Sequence, residues 1–384
     1  MALLLTVPVT LAAAACSGGS STAPSNADAK TVNAHSAIVI GATLSLTGSL
    51  SALGQPLEAG YRQRIADVNA AGGVAIGGVR QKLKLVVLDN GGNPSTAGAQ
   101  ATALIRQDHA VALLGSATTS IVTPTALIAE QLQVPLVTSQ MPVEVFASGD
   151  KTGWKYSWDL FYDERQQAAA AARALAATAG DKKVALFTDT EPDSVVERPL
   201  YETAFKADGL HVVGDYTFPV GTKDLSSFIA DAKAAGAQLL AGQLAPADAA
   251  ALSRQLTASG FRPKAAFVAA APDAGDGSQT PLSLVAGSLS GAYWNPGQAS
   301  PGQLALISGT LGKQYAGSAG YATAAVGYAV AEVLTDALAK AGSANPAALN
   351  TAISRTDAKT TAGLIKFSQL THTASTPYSV SQPQ

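Results

Sequence analysis

Residues 37–73 read AIVIGATLSLTGSLSALGQPLEAGYRQRIADVNAAGG. The first eight, AIVIGATL (37–44), form a near-continuous apolar run with β-branched side chains, as expected of a strand covered on both faces. Residues 56–71 then carry Leu57, Tyr61, Ile65 and Val68 on one face at helical spacing, and Gly72-Gly73 ends the helix. Buried strand, short loop and amphipathic helix make a βα unit. The loop 45–54 between them sits at the carboxyl end of the strand, where open parallel sheets bind their ligands.

The same unit recurs along the chain. Strands are expected at 83–88, 111–114 and 135–138, with helices at 94–107 and 120–132 between them. Asn93-Pro94 suits the N-cap and first turn of the helix at 94–107. A second series follows: helix 163–178, strand 183–187, helix 195–207, strand 211–217, helix 224–235, strand 238–241, helix 246–259 and strand 265–268. Residues 289–293 and 363–367 read as further strands, and 301–315, 321–340 and 346–354 as helices. Apolar strands alternating with helices imply parallel sheets covered on both faces. The expected fold is α/β, with two doubly wound lobes. The candidate loops, all after strands, are 45–54, 89–94, 115–120, 139–142, 188–194, 242–246 and 269–276.

The chain has 384 residues, long enough for two lobes. Hydrophobic residues make up 47%, ample for a core, and the net charge of −2 provides no basic face for nucleic acid. Cys16 is the single cysteine, so no disulfide is available within the chain. It follows the apolar run LLLTVPVTLAAAA (3–15) and precedes SGGSS (17–21). That order reads as a lipoprotein signal over residues 1–16, with lipid on Cys16 and an extracytoplasmic, membrane-anchored body. An ordinary secretory peptide and a buried N-terminal helix are the competing readings. The run fits a signal-peptide core and is too short for a membrane span. No Lys or Arg precedes it, which points to a translation start upstream. Residues 17–36 hold almost no large apolar side chains and read as a flexible tether.

Catalytic patterns are missing. His35, His109, His211 and His372 form no paired metal-binding arrangement. GSAG (317–320) lacks the spacing of a nucleophile elbow, and GDKTG (149–153) has the wrong order for a phosphate-binding loop. DNGGNP (89–94) fails the calcium-loop pattern and reads as a β-to-α turn. No cofactor or metal is expected.

Several segments in order resemble the Leu/Ile/Val-binding family of periplasmic solute-binding proteins, the type I periplasmic binding protein fold. They are SLTGSLSALGQ (45–55), NAAGG (69–73) with KLVVLD (84–89), GSATTS (115–120), VPLVTS (134–139), VALF (184–187), KDLSSF (223–228) and GYATAA (320–325). The resemblance implies two Rossmann-like lobes joined by a three-segment hinge, with residues 37–157 and 289–362 in one lobe and 158–288 and 363–384 in the other. It implies a solute receptor that delivers an amino acid or related small carboxylate to the permease subunits of an ABC importer.

The resemblance also assigns site residues. Thr119, Ser120, Ser139, Gln140 and Met141 would hold a carboxylate, as hydroxyls and backbone N–H groups at a helix N-terminus can. Plain helix capping by Thr119 and Ser120 is compatible with that role. Phe161 and Tyr162 would supply aromatic walls, and Asp273 would receive an ammonium unless it is a solvated turn residue. Leu53 stands where the family often carries an aromatic, and the loop at Gln243 lacks the family's tyrosine. Both departures, and a shortened loop at Gln140-Met141, point away from a standard branched-chain ligand. A sensor signalling to a membrane kinase uses the same clamp and stays open as a reading. An extracellular enzyme on this scaffold needs a nucleophile–base pair that the sequence does not display.

Overall fold

The computed structural model describes residues 37–48, 50–116, 118–150, 152–178, 180, 182–269, 287–315 and 320–381. Cys16, the stretch 17–36 and Asp273 lie outside the described residues. The first half of the chain runs β1 (Ile38–Leu44), α1 (Ser51–Ala70), β2 (Val74–Ile76), β3 (Val79–Gln81), β4 (Leu83–Asp89), α2 (Pro94–Arg106), β5 (Ala112–Leu114), α3 (Thr119–Leu132), β6 (Leu136–Thr138), α4 (Val143–Ser148) and β7 (Ser157–Tyr162). Next come α5 (Glu164–Ala176), β8 (Lys183–Asp189), α6 (Pro192–Ala207), β9 (His211–Phe218), α7 (Ser226–Ala234), β10 (Leu239–Gln243), α8 (Pro246–Ser259) and β11 (Ala265–Ala269). The last part holds β12 (Ser290–Ala292), α9 (Pro301–Tyr315), α10 (Gly320–Ala341), α11 (Pro346–Ser354), β13 (Asp357–Thr360), β14 (Gly363–Lys366), β15 (Thr373–Thr376) and β16 (Ser379–Ser381).

Two parallel sheets organise the body. The larger has the order β15-β7-β6-β5-β1-β4, and the smaller β11-β10-β8-β9. Every pairing within them is parallel. A parallel sheet must be covered on both faces, and each of these is. Leu57 and Tyr61 of α1 pack with Val326, Tyr328 and Val330 of α10 on one face of the large sheet. Leu104 of α2, Val122 of α3 and Phe146 of α4 cover its other face. On the small sheet, Ile229 and Leu252 lie on one side, and Leu175, Tyr201 and Phe205 on the other. At the α1–α10 crossing, a Cβ on Gly60 would stand 2.2 Å from the Ala324 carbonyl oxygen, so only glycine allows that approach.

Local signals place most elements. The Asn93 side chain accepts from Thr96 N–H at 3.0 Å, with Pro94 opening α2 as its fixed φ suits. Helix α1 begins five residues before the expected start at Pro56, since Leu53 is buried against the core and draws the preceding turn into the helix.

The lobe boundaries expected at 157/158, 288/289 and 362/363 are corrected by the pairings. Strand β7 hydrogen-bonds to β6 and β15 within the large sheet, and the β13–β14 hairpin adds Ala362 and Ile365 to the large sheet's core. Strand β12 pairs antiparallel with β16, and Ser288 bridges Ala266 of the small sheet. The three crossings therefore follow Tyr162, Ala292 and Thr376. Sequence reading left β7 unassigned because Asp159 interrupts its apolar run. Strand β15 goes unrecognised in the sequence because it is only four residues long, with Ala374 and Ser375 between its two threonines.

Candidate functional site

The carboxyl ends of both sheets face a shared cavity of about 230 Å³. At about 30 Å³ per water, it accommodates roughly eight water-sized groups, the size of a small metabolite. From the large sheet come Leu53, Thr118, Gln140 and Pro142, followed by Phe161 and Tyr162 at the end of β7. Gly115 makes this arrangement possible. A Cβ there would lie 1.8 Å from Thr138 Oγ1, so the ends of β5 and β6 could not come together around any other residue. Thr118 (φ 69°) and Gln140 (φ 63°) both hold left-handed backbone conformations. Non-glycine residues in that region store strain, and strain of this kind clusters at ligand clamps. Close by, Ser116 Oγ and Ser139 Oγ are buried without a hydrogen-bond partner among the described residues, and the Gln140 side chain meets the Tyr293 hydroxyl. These buried groups can all donate, and they lie on the loops after β5 and β6.

The small sheet contributes Gln167, Asp193, Gln243 and Ala269. Asp189 ties two of its loops together: it accepts from Ser194 Oγ at 2.6 Å and from Ala245 N–H. Gln167 Nε2 donates to Tyr201 Oη at 2.9 Å and to Gln243 Oε1 at 3.1 Å, and also bonds Glu197. A side-chain contact reaches across the cavity: Thr119 Oγ1 donates to Asp193 Oδ1 at 2.8 Å. Each of the three crossings adds a tyrosine to the cavity, namely Tyr162, Tyr293 and Tyr378. Their rings form a continuous row with Phe161, at centroid distances of 5.0 Å (Tyr293–Phe161), 4.6 Å (Phe161–Tyr162) and 5.0 Å (Tyr162–Tyr378).

Behind this row lies a group of buried acids. Burial pushes the Asp193 carboxyl up, partly offset by the Thr119 hydrogen bond. Burial also pushes Glu197 well above the carboxylate range, and the neighbouring Glu164 and Asp193 charges add to the shift. Glu164 accepts from the Glu144 and Val145 backbone N–H groups at 2.9 and 3.0 Å and so caps α4. Its burial outweighs those bonds and raises its pKa to about 7. Among the described residues no group of His, Cys, Asp and Glu has the geometry to hold a metal ion.

A family model described as "Periplasmic binding protein" matches residues 37–384. The chain belongs to the periplasmic binding protein family. The Leu/Ile/Val-binding protein homolog 3 of Brucella melitensis is 26% identical over 229 residues, 60% of this chain and 60% of that relative. The alignment thus spans about 60% of that curated relative's length. Among solved structures, the leucine-binding protein LivK of Thermotoga maritima superposes with a TM-score of 0.75 at 24% identity, covering 89% of this chain and 94% of that one. A solute-binding protein of an ABC transporter from Rhodopseudomonas palustris, in complex with p-hydroxybenzoic acid, gives 0.75 at 17% identity, covering 91% and 93%.

In this periplasmic binding protein, Leu53, Gln140, Phe161, Tyr162 and Gln243 line the cavity. Thr119 is buried beside it, bonded to Asp193. Ser139 is wholly buried, Ser120 is exposed, and Met141 turns into the apolar cluster with Phe146 and Trp154. Met141 is thus a core residue, since a flexible thioether fills space under α4 better than it meets a polar solute. Sequence reading missed Gln167, Asp193, Tyr293 and Tyr378. Asp193 lies within the flagged loop 188–194, and a position after a strand was its only available signal.

Proposed function

We propose that this chain is the extracytoplasmic solute receptor of an ABC importer, binding an amino acid or related small carboxylate by closure of the two lobes. The cavity carries the reading: it lies between the carboxyl ends of two sheets, with Thr118 and Gln140 on the large-sheet side and buried, unpartnered Ser116 and Ser139 hydroxyls on the same two loops. A solute touching both lobes favours the closed form by the strength of those contacts. Family membership supports the reading, and the named Leu/Ile/Val-binding and hydroxybenzoate-binding relatives bracket the solute class. Lipid on Cys16 would hold the receptor at the membrane beside its permease.

Titration calorimetry on ligand-stripped protein, against a panel of amino acids and small carboxylates, tests the binding. A saturable one-to-one isotherm is expected, and folded protein that binds none of the panel refutes the receptor reading. Loss of uptake in a deletion strain tests the importer role. Mass spectrometry of the purified lipoprotein, compared with Cys16→Ala, tests the anchor.

A further inference from the structure

Resting on that reading of the cavity, we propose that Glu332, which lies outside the cavity lining, is a positioning residue for solute selection: it fixes the Trp294 wall through Thr361. Trp294 lines the cavity just past the second crossing and is 5% exposed. Tyr321 meets its ring edge-on, at a centroid distance of 5.2 Å. The one polar atom of the Trp294 side chain, Nε1, donates to the Thr361 carbonyl at 2.8 Å. Where Thr361 sits therefore decides where the indole sits.

Thr361 is wholly buried in the turn between β13 and β14. Its N–H donates to Glu332 Oε2 at 2.7 Å. Its hydroxyl stands 3.0 Å from the same oxygen and 3.1 Å from the Ala325 carbonyl. Gln303 of α9 donates to the other carboxylate oxygen at 3.3 Å and to the Lys359 carbonyl of β13 at 2.8 Å. Glu332 is buried and, among the described residues, meets no Lys, Arg or His at ion-pair distance. Burial pushes its carboxyl up, while the Thr361 bonds and the Arg64 charge pull it down. Burying an acid without a paired cation is costly. Here its two oxygens tie α10 to the turn that holds the indole and to α9, which follows Trp294 in the chain. An apolar pocket that gains or loses the width of one methylene changes its selectivity by roughly 10–200-fold. A fixed wall is thus a means of choosing between solutes of different bulk.

Two measurements test this, and the first needs no solute. The chain has three tryptophans, so nitrogen–proton correlation spectra show three indole N–H signals, and Trp294→Phe identifies the one from Trp294. In Glu332→Ala that signal should move upfield and exchange faster with water, while those of Trp154 and Trp158 stay in place. Glu332→Gln keeps an acceptor for the Thr361 N–H and should leave the signal near its wild-type position. If the alanine variant does not fold, Glu332→Asp, which carries the carboxylate on a shorter arm, should displace the signal in the same direction. A folded Glu332→Ala protein, or Glu332→Asp in its place, with an unchanged Trp294 signal overturns the proposal. The second measurement is calorimetry with L-leucine and L-phenylalanine. Glu332→Ala should shift the ratio of the two affinities about fivefold toward the bulkier solute. In a Trp294→Phe background the same substitution should shift it far less, because the indole bond is already gone. Equal weakening of both solutes, or an undiminished shift without the indole N–H, also overturns the proposal. Wild-type protein that binds neither amino acid counts against the receptor reading instead, and the indole signal then decides the role of Glu332 by itself.

Discussion

Gly115 and Glu164 show how single residues set the site. Placing a Cβ on Gly115 drives it into the Thr138 side chain. Gly115→Ala should cost about 1–3 kcal/mol of stability, as overpacking of a close contact does. It should also weaken solute binding, because Thr118 and Gln140 lie on the two loops it forces apart. Chemical denaturation and calorimetry check the two effects. Glu164 bears on pH. Its pKa is about 7 in the folded protein against an ordinary 4.5. Between those values the folded state binds more protons than the unfolded chain, so stability falls as pH rises from about 4.5 to 7. The contribution is on the order of 3 kcal/mol. Glu164→Gln should flatten the fall in thermal midpoint over that window, and an unchanged pH profile would assign the dependence to the other buried acids.

At the level of elements, the C-terminal strands do more than their length suggests. Strand β15 closes one edge of the large sheet by pairing with β7, and β16 pairs with β12 beside the small sheet. Between them, Tyr378 completes the ring row of the cavity. Removing residues 370–384 would strip both pairings and expose β7 as an unprotected edge, which invites association between chains. The truncated protein should lose solute binding and sediment as larger species, whereas Tyr378→Phe, which keeps the ring, should remain monomeric and fold normally. Analytical ultracentrifugation distinguishes the two. Helices α1 and α10 illustrate the opposite case, a long local signal with a tight tertiary demand. Their apolar faces are plain in the sequence, yet Gly60 is required by an approach that only the folded packing reveals.

For the whole molecule, closure and stability are linked. A solute present at a hundredfold excess over its Kd stabilises the bound state by about 2.7 kcal/mol. The thermal midpoint should therefore rise by a few degrees with the right solute and stay level with the wrong one. Small-angle scattering should show a smaller radius of gyration when solute is added, if the free protein samples an open form. The Thr119–Asp193 bond is one side-chain link between the two sides of the cavity. Thr119→Val should weaken the closed form in the absence of solute and lower the apparent affinity by the same population shift.

Sequence by itself determined the alternation of buried strands and amphipathic helices, the two covered parallel sheets, and the side of each sheet on which a ligand would sit. Those features rest on continuous apolar runs in the strands and a period of about 3.6 residues in the helices, which neighbours along the chain express. The family resemblance, rather than any local pattern, marked Leu53, Gln140, Phe161, Tyr162 and Gln243, which line the cavity. Only the tertiary structure decided that β7 and β15 share a sheet, and that tyrosines from three crossings form one wall. It alone brought an acid at the start of α6 to the first turn of α3. Contacts between residues so far apart in sequence follow from packing, and packing leaves no periodic trace in the chain.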